Sequence, residues 1–130
     1  MTDTEVIRQM VVDFSSDLDG SYLTKNMTEG MVFVRPSGNP IAGKDYAAFI
    51  MGPDVDLTEC KLVKIHKIEV GSDMAHAVIT HSAKFTYKGT PNDDPSYIIS
   101  LVFQKVDGAW RISYMQRSSS PSDTALWDSL

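Results

Sequence analysis

Apolar residues recur at steps of three and four over Thr2 to Leu18. Val6, Ile7, Met10, Val11, Phe14 and Leu18 share one face, and Arg8, Asp13 and Asp17 take the other. That period predicts an amphipathic helix, opened by a Thr2/Glu5 capping box and broken by Asp19 and Gly20. "SYLTKNM" (21–27) predicts a short second helix with Tyr22, Leu23 and Met27 inward. "MVFV" (31–34) predicts a short strand, stopped by Arg35, Pro36, Ser37 and Gly38, where proline removes a donor and glycine permits a turn. "GKDYAAFIM" (43–51) predicts a third helix, ending at Gly52 and Pro53. From Thr58 the period drops to two, giving strands at about 59–71, 75–88, 96–106 and 109–117, joined by "GSD", "GTPNDDP" and "DGA". Helices followed by an antiparallel meander define an α+β fold. The expectation is one domain over 1–130: a curved antiparallel sheet of about four long strands plus a short one, wrapped around an N-terminal helix and two short helices.

Strand alternation assigns faces. Ala75, Ala77, Ile79, His81, Ala83, Phe85 and Tyr87 fall on one side of their strand, which puts His81 in an apolar row. Two readings are open: a buried histidine satisfied by a neighbour, or a pocket histidine able to act as general acid or base. In the last strand Trp110, Ile112, Tyr114 and Gln116 oppose Arg111, Ser113, Met115 and Arg117. By hydrophobicity alone the tryptophan face belongs to the core and Arg117 to water. The last three strands hold no aspartate or glutamate except at their ends, so no carboxylate pair for acid–base work is expected from the sheet. "NDDP" is too short for a calcium loop and is expected to be a solvated hairpin tip.

Composition closes off several function classes. Net charge is −5, and the twelve basic residues are scattered, whereas a nucleic-acid binder would carry a basic stripe. No nucleic-acid partner is expected. No apolar run approaches the roughly 20 residues of a membrane span, and "MTDTEVIRQM" does not read as a signal or transit peptide. A single cysteine, Cys60, fits a reducing compartment, so a cytoplasmic protein without membrane association is expected. His76 and His81 are five apart on one strand and point to opposite faces, His66 lies on another strand, and Cys60 has no cysteine partner. No metal or other cofactor is expected. There is also no GxSxG elbow and no phosphate-binding glycine loop.

"VFQKVDGAWRISYMQRSSSPS" closes the meander with a strand, an Asp-Gly turn, a tryptophan, Ile112 and Arg117-Ser118, followed by Pro121 and Ser122. This stretch resembles the end of the association domain of calcium/calmodulin-dependent kinase II, and the order of elements resembles the wider nuclear transport factor 2-like (SnoaL-like, ketosteroid isomerase-like) superfamily. The resemblance implies a cystatin-like cone whose bent sheet and N-terminal helix enclose a pocket. It implies that Arg117 faces this pocket together with His81 and Tyr97. Gln116 and Leu101 stand where the association domain has a histidine and an arginine. The enzymatic branches match less well. The ketosteroid isomerase base falls at Arg35 and its sheet acid near Ile99, and the acid set of limonene epoxide hydrolase is missing. "QRSS" lacks the histidines of iota-class carbonic anhydrases.

The expected function is binding of a small polar or anionic molecule. Phe14, Phe85, Ile99 and Phe103 would line an apolar pocket, with Arg117, Arg35, Tyr46 and Ser118 as further ligand contacts. A desolvated guanidinium can hold a carboxylate through two hydrogen bonds. The alternatives are a lyase, isomerase or hydrolase with His81 and Tyr97 as catalytic groups, or an oligomerisation module with a vestigial pocket. To bury both faces of the last strand, a homodimer through the sheet face carrying Trp110, Ile112 and Tyr114 is expected, which would leave Arg117 to the pocket.

Overall fold

In the computed structural model, which describes residues 1–119 and 124–130, the N-terminal helix α1 spans Asp3–Ser15. Thr2 caps it, its hydroxyl oxygen accepting the Glu5 amide at 3.2 Å. Ile7, Met10 and Val11 are buried. The first turn is tied to the sheet as well: the Asp3 carboxylate accepts from Trp110 Nε1 at 3.2 Å and pairs with the Lys105 ammonium at 3.3 Å. The helix stops short of Leu18, which is exposed, because Asp17 turns inward and accepts the amides of Gly20 at 3.0 Å and Leu23 at 3.2 Å. Gly20 has φ +80, and a Cβ there would stand 3.2 Å from the Ala47 carbonyl oxygen, so both backbone conformation and space require glycine.

Helix α2 (Ser21–Asn26) leads into β1 (Met27–Val34) and the short β2 (Pro40–Ala42), then α3 (Gly43–Met51). β3 (Val55–Val70), β4 (Met74–Tyr87), β5 (Thr90–Val106) and β6 (Ala109–Ser119) complete one six-stranded sheet in the order β2-β1-β6-β5-β4-β3. The sheet is curved and unclosed, and the fold is α+β as the periodicity predicts. β1 pairs with β6 in parallel; the other neighbours are antiparallel. β2 is too short to show as a period and escapes sequence reasoning. A final 3₁₀ turn, Trp127–Ser129, lies against β3: the Trp127 ring meets His66 edge-on at 4.5 Å, and Lys64 pairs with Asp128 at 3.0 Å.

Two hairpins use two-residue turns with positive φ at both positions, Lys88-Gly89 and Asp107-Gly108. That is the type I′ geometry whose twist matches the flanking strands. The β4–β5 turn is therefore Lys88-Gly89, and "TPNDDP", though largely exposed, is not the hairpin tip. It continues β5, with Asp94 opposite Ala83.

β6 also departs from simple alternation. Ile112 lies opposite Phe103 and Tyr114 opposite Val102, so Ser113 is an extra residue, a β-bulge. A bulge reverses the side-chain parity of the residues beyond it. Trp110 and Ile112 point into the core before it, and Met115 and Arg117 point into the same concave side after it. This corrects the expected interface: Trp110 and Ile112 are buried by their own chain and need no partner to cover them. Of the three, Tyr114 alone faces outward. Pro121 and Ser122, part of the motif, lie outside the described residues.

Candidate functional site

The concave sheet face, α1 and α3 enclose a two-part cavity. The inner part, about 50 Å³, is bounded by Phe14, Asp17, Leu23, Cys60, His81, Ile99 and Met115; the outer part, about 160 Å³, by Phe49, Val55, Ala83, Phe85 and Tyr87. Tyr46, Ile50, Leu57, Tyr97 and Arg117 border both. The inner part has room for one small group and the outer part for a larger one, and both walls are mostly apolar.

Arg117 stands at the junction. Its register partner is Ile99, which fixes the direction of the side chain. The guanidinium lies 3.8 Å above the Tyr97 ring centroid and is hydrogen-bonded through one terminal nitrogen to the Asp94 carboxylate. Its Nε–H is buried without a partner among the described residues. An unpaired buried donor costs about 1–3 kcal/mol, a cost that an acceptor brought within reach would remove.

Deeper in, four side chains form an oriented chain of hydrogen bonds. Ser15 donates to the Val11 carbonyl at 2.7 Å, the usual back-bond of a helical serine. Its oxygen can then only accept from His81 Nε2 at 2.7 Å. His81 Nδ1 is left as an acceptor for the Cys60 thiol at 3.7 Å, and the sulfur lies 3.9 Å from the Tyr97 hydroxyl. One backbone carbonyl thus fixes His81 as the neutral Nε2–H tautomer. Burial acts in the same direction. It pushes the His81 pKa down to about 4, with the Arg117 charge as a second cause, and it raises the Cys60 thiol. Tyr46 is pushed up to about 12 and Tyr97 is raised too, again through burial. At neutral pH Cys60, His81, Tyr46 and Tyr97 are all uncharged.

The burial of His81 makes stability depend on pH. The unfolded chain protonates His81 near 6.5, whereas the folded chain resists until about 4. Stability is therefore full above the unfolded value and falls as pH drops between the two, by about 3 kcal/mol at 1.36 kcal/mol per unit. Chemical denaturation at pH 7, 5.5 and 4 should show that His81→Gln loses less stability across this window than the native chain. Parallel losses in the two proteins would contradict the assignment.

Of the residues singled out from sequence, Phe14, Tyr46, His81, Phe85, Tyr97, Ile99 and Arg117 come together around the cavity. Three do not. Arg35 is exposed in the β1–β2 turn, its Nε donating to the Asn39 carbonyl at 3.1 Å. Ser118, next to Arg117 on a strand, is exposed on the outer side. Phe103 is fully buried opposite Ile112, in the core and away from the cavity. Four polar contributors were not foreseen: Ser15, Asp17, Cys60 and Asp94. The Lys88-Gly89 pair is the signal that could have revealed Asp94, since a two-residue turn there places "NDD" within the strand. Among the described residues no cluster of three or more His, Cys, Asp or Glu is placed to hold a metal ion, and no helix is long and apolar enough to cross a membrane.

A six-stranded unclosed sheet around an interior cavity is the architecture of the nuclear transport factor 2-like proteins. A nuclear transport factor 2-like protein of unknown function from Prochlorococcus marinus is 39% identical, with 98% of this chain and 100% of that one covered and a TM-score of 0.84. Residues 2–128 match the family model described as Protein of unknown function (DUF3804), and the chain belongs to that family. At the level of fold alone, two more distant structures are similar. One is a nuclear transport factor 2-like protein with a cystatin-like fold from Novosphingobium aromaticivorans, 17% identical over 95% of this chain and 85% of that one, TM-score 0.71. The other is the association domain of the C. elegans calcium/calmodulin-dependent kinase II, 21% identical over 90% and 93%, TM-score 0.64. No curated protein matches this chain in sequence.

Proposed function

We propose that this protein binds a small, partly polar molecule in the cone cavity, with Arg117 as the anchoring group. The observation that carries this reading is the Nε–H of Arg117, buried and without a partner among the described residues, at the junction of a narrow recess and a wider one. Pockets that fix a ligand by a few convergent polar groups within an apolar wall have this composition. Ile50, Leu57 and Phe85 would hold the ligand's apolar part, and Tyr46 and Tyr97 offer hydroxyls beside the guanidinium. A binding role suits His81 better than acid–base chemistry, because both its ring nitrogens are engaged and its proton affinity is low. Ligand-observed NMR against a library of small aromatic and aliphatic carbonyl compounds tests the reading. Hits should cross-relax with the Tyr46 and Tyr97 rings; a library without a single hit in the cavity would reject it.

A second reading, self-association, has its own observation. Across the outer sheet face Val32, Tyr114 and Val102 stand side by side in register, and Val32 is 38% exposed. One similar fold is an association domain. Val102→Asp should shift the mass seen by light scattering to that of a single chain and leave cavity binding intact. If native and variant proteins have the same mass, this face is not an interface.

A further inference from the structure

We infer that the cavity selects an uncharged ligand over a carboxylate, and that Asp94 sets this preference. The inference rests on the reading of the cavity as a ligand site and adds the charge class of the molecule it holds. A lone arginine in an apolar pocket would favour an anion, which it can clasp through two parallel hydrogen bonds. Here one terminal nitrogen of Arg117 is already committed to Asp94. The two carboxylic oxygens of Asp17, which borders the inner recess, are held in place by the Gly20 and Leu23 amides. Among the described residues that line the cavity, Arg117 is the one cation and Asp17 the one carboxylate; Asp94 adds a second carboxylate through Arg117, and Tyr46, Tyr97, Cys60 and the Nε2–H tautomer of His81 add no positive charge to change the balance.

An entering carboxylate would have to share Arg117 with Asp94 or break that pair, and like charges in a partly desolvated site repel strongly. A neutral carbonyl or amide oxygen meets no such obstacle. It can accept the Nε–H, which has no partner among the described residues, and leave the Arg117–Asp94 bond in place. Asp94 is thereby a specificity-determining residue that acts through Arg117. Its position depends on the Lys88-Gly89 turn, which draws "NDD" into β5 and sets Asp94 beside the strand that carries Arg117.

Benzamide and benzoate have nearly the same shape and differ in charge, so they separate the two possibilities. Affinities for both, measured by saturation-transfer NMR titration, should favour benzamide on the native protein by about tenfold or more. Asp94→Asn, isosteric and checked for folding by its melting curve, should reverse the order, with benzoate gaining at least about tenfold. If the native protein binds benzoate as tightly as benzamide, or tighter, the inference is overturned while the ligand site stands. An unchanged ratio in Asp94→Asn overturns the role given to Asp94. If neither compound binds either protein, the ligand site and the inference fall together. The native comparison needs no variant, so poor folding of Asp94→Asn leaves the charge preference fully testable.

Discussion

Arg117→Met is expected to weaken binding of any cavity ligand by about 100-fold. Hydrogen bonds to a charged group contribute about 1.5–3 kcal/mol, and each 1.4 kcal/mol is a factor of ten. Methionine keeps the length and the apolar stem of the side chain but removes every donor. The substitution also strands Asp94, only 21% exposed, without its partner. The lone carboxylate would then face the acceptor that the guanidinium was meant to hold. The cost in stability is about 1–3 kcal/mol, the penalty for a half-buried polar group left alone. The double variant Arg117→Met/Asp94→Asn should recover much of that stability and none of the affinity. Calorimetric titration with cavity ligands, run beside thermal melts of native, single and double variants, separates the two effects. Native-like affinity in Arg117→Met would remove this residue from the site.

Phe103→Ala should have the largest effect on stability, with a different signature. Phe103 has no exposed surface and packs opposite Ile112 in the core. Deleting a fully buried phenylalanine ring costs about 3–5 kcal/mol, part transfer free energy and part cavity. For a domain of this size that lowers the melting temperature by roughly 10–20 °C. Because the ring does not border the cavity, ligand affinity of the folded protein should stay within about twofold of native. Phe85→Ala supplies the contrast. That ring is half-buried in the wall of the outer recess, so its loss should lower affinity more than stability. If Phe103→Ala instead weakens binding tenfold at temperatures where it remains folded, Phe103 belongs to the pocket after all.

Long elements with a sustained period were legible in the sequence: α1, β4 and the strand pattern beyond Thr58 each repeat their signal often enough to fix type and approximate bounds. Strand alternation puts His81 in an apolar row and the family resemblance adds Tyr97; the two stand opposite each other in adjacent strands. Single-residue events escaped, because a period cannot register them. Ser113 adds one residue to β6 and reverses its faces, so Trp110 and Arg117 both turn inward. Without the bulge, the conflict between them calls for a second subunit. Asp17 lies in the apparent continuation of α1, yet its carboxylate stops the helix by capturing two amides. Asp94 was hidden by "NDDP", whose composition suggests a loop, while the turn is made earlier by Lys88 and Gly89. Ser15 and Cys60 carry no motif, and only the fold brings them within reach of His81.

The bulge at Ser113 divides the labour along β6. Upstream of it the strand answers to folding: Trp110 and Ile112 complete the core, and Trp110 holds α1 through Asp3. Downstream, Arg117 answers to recognition. Variation at Arg117 can retune the ligand without touching Trp110, Ile112 and Met115, which are constrained by the core that they complete. A lineage of such proteins could therefore change its ligand by substitution within the last few positions of one strand, provided that the length up to Ser113 is kept.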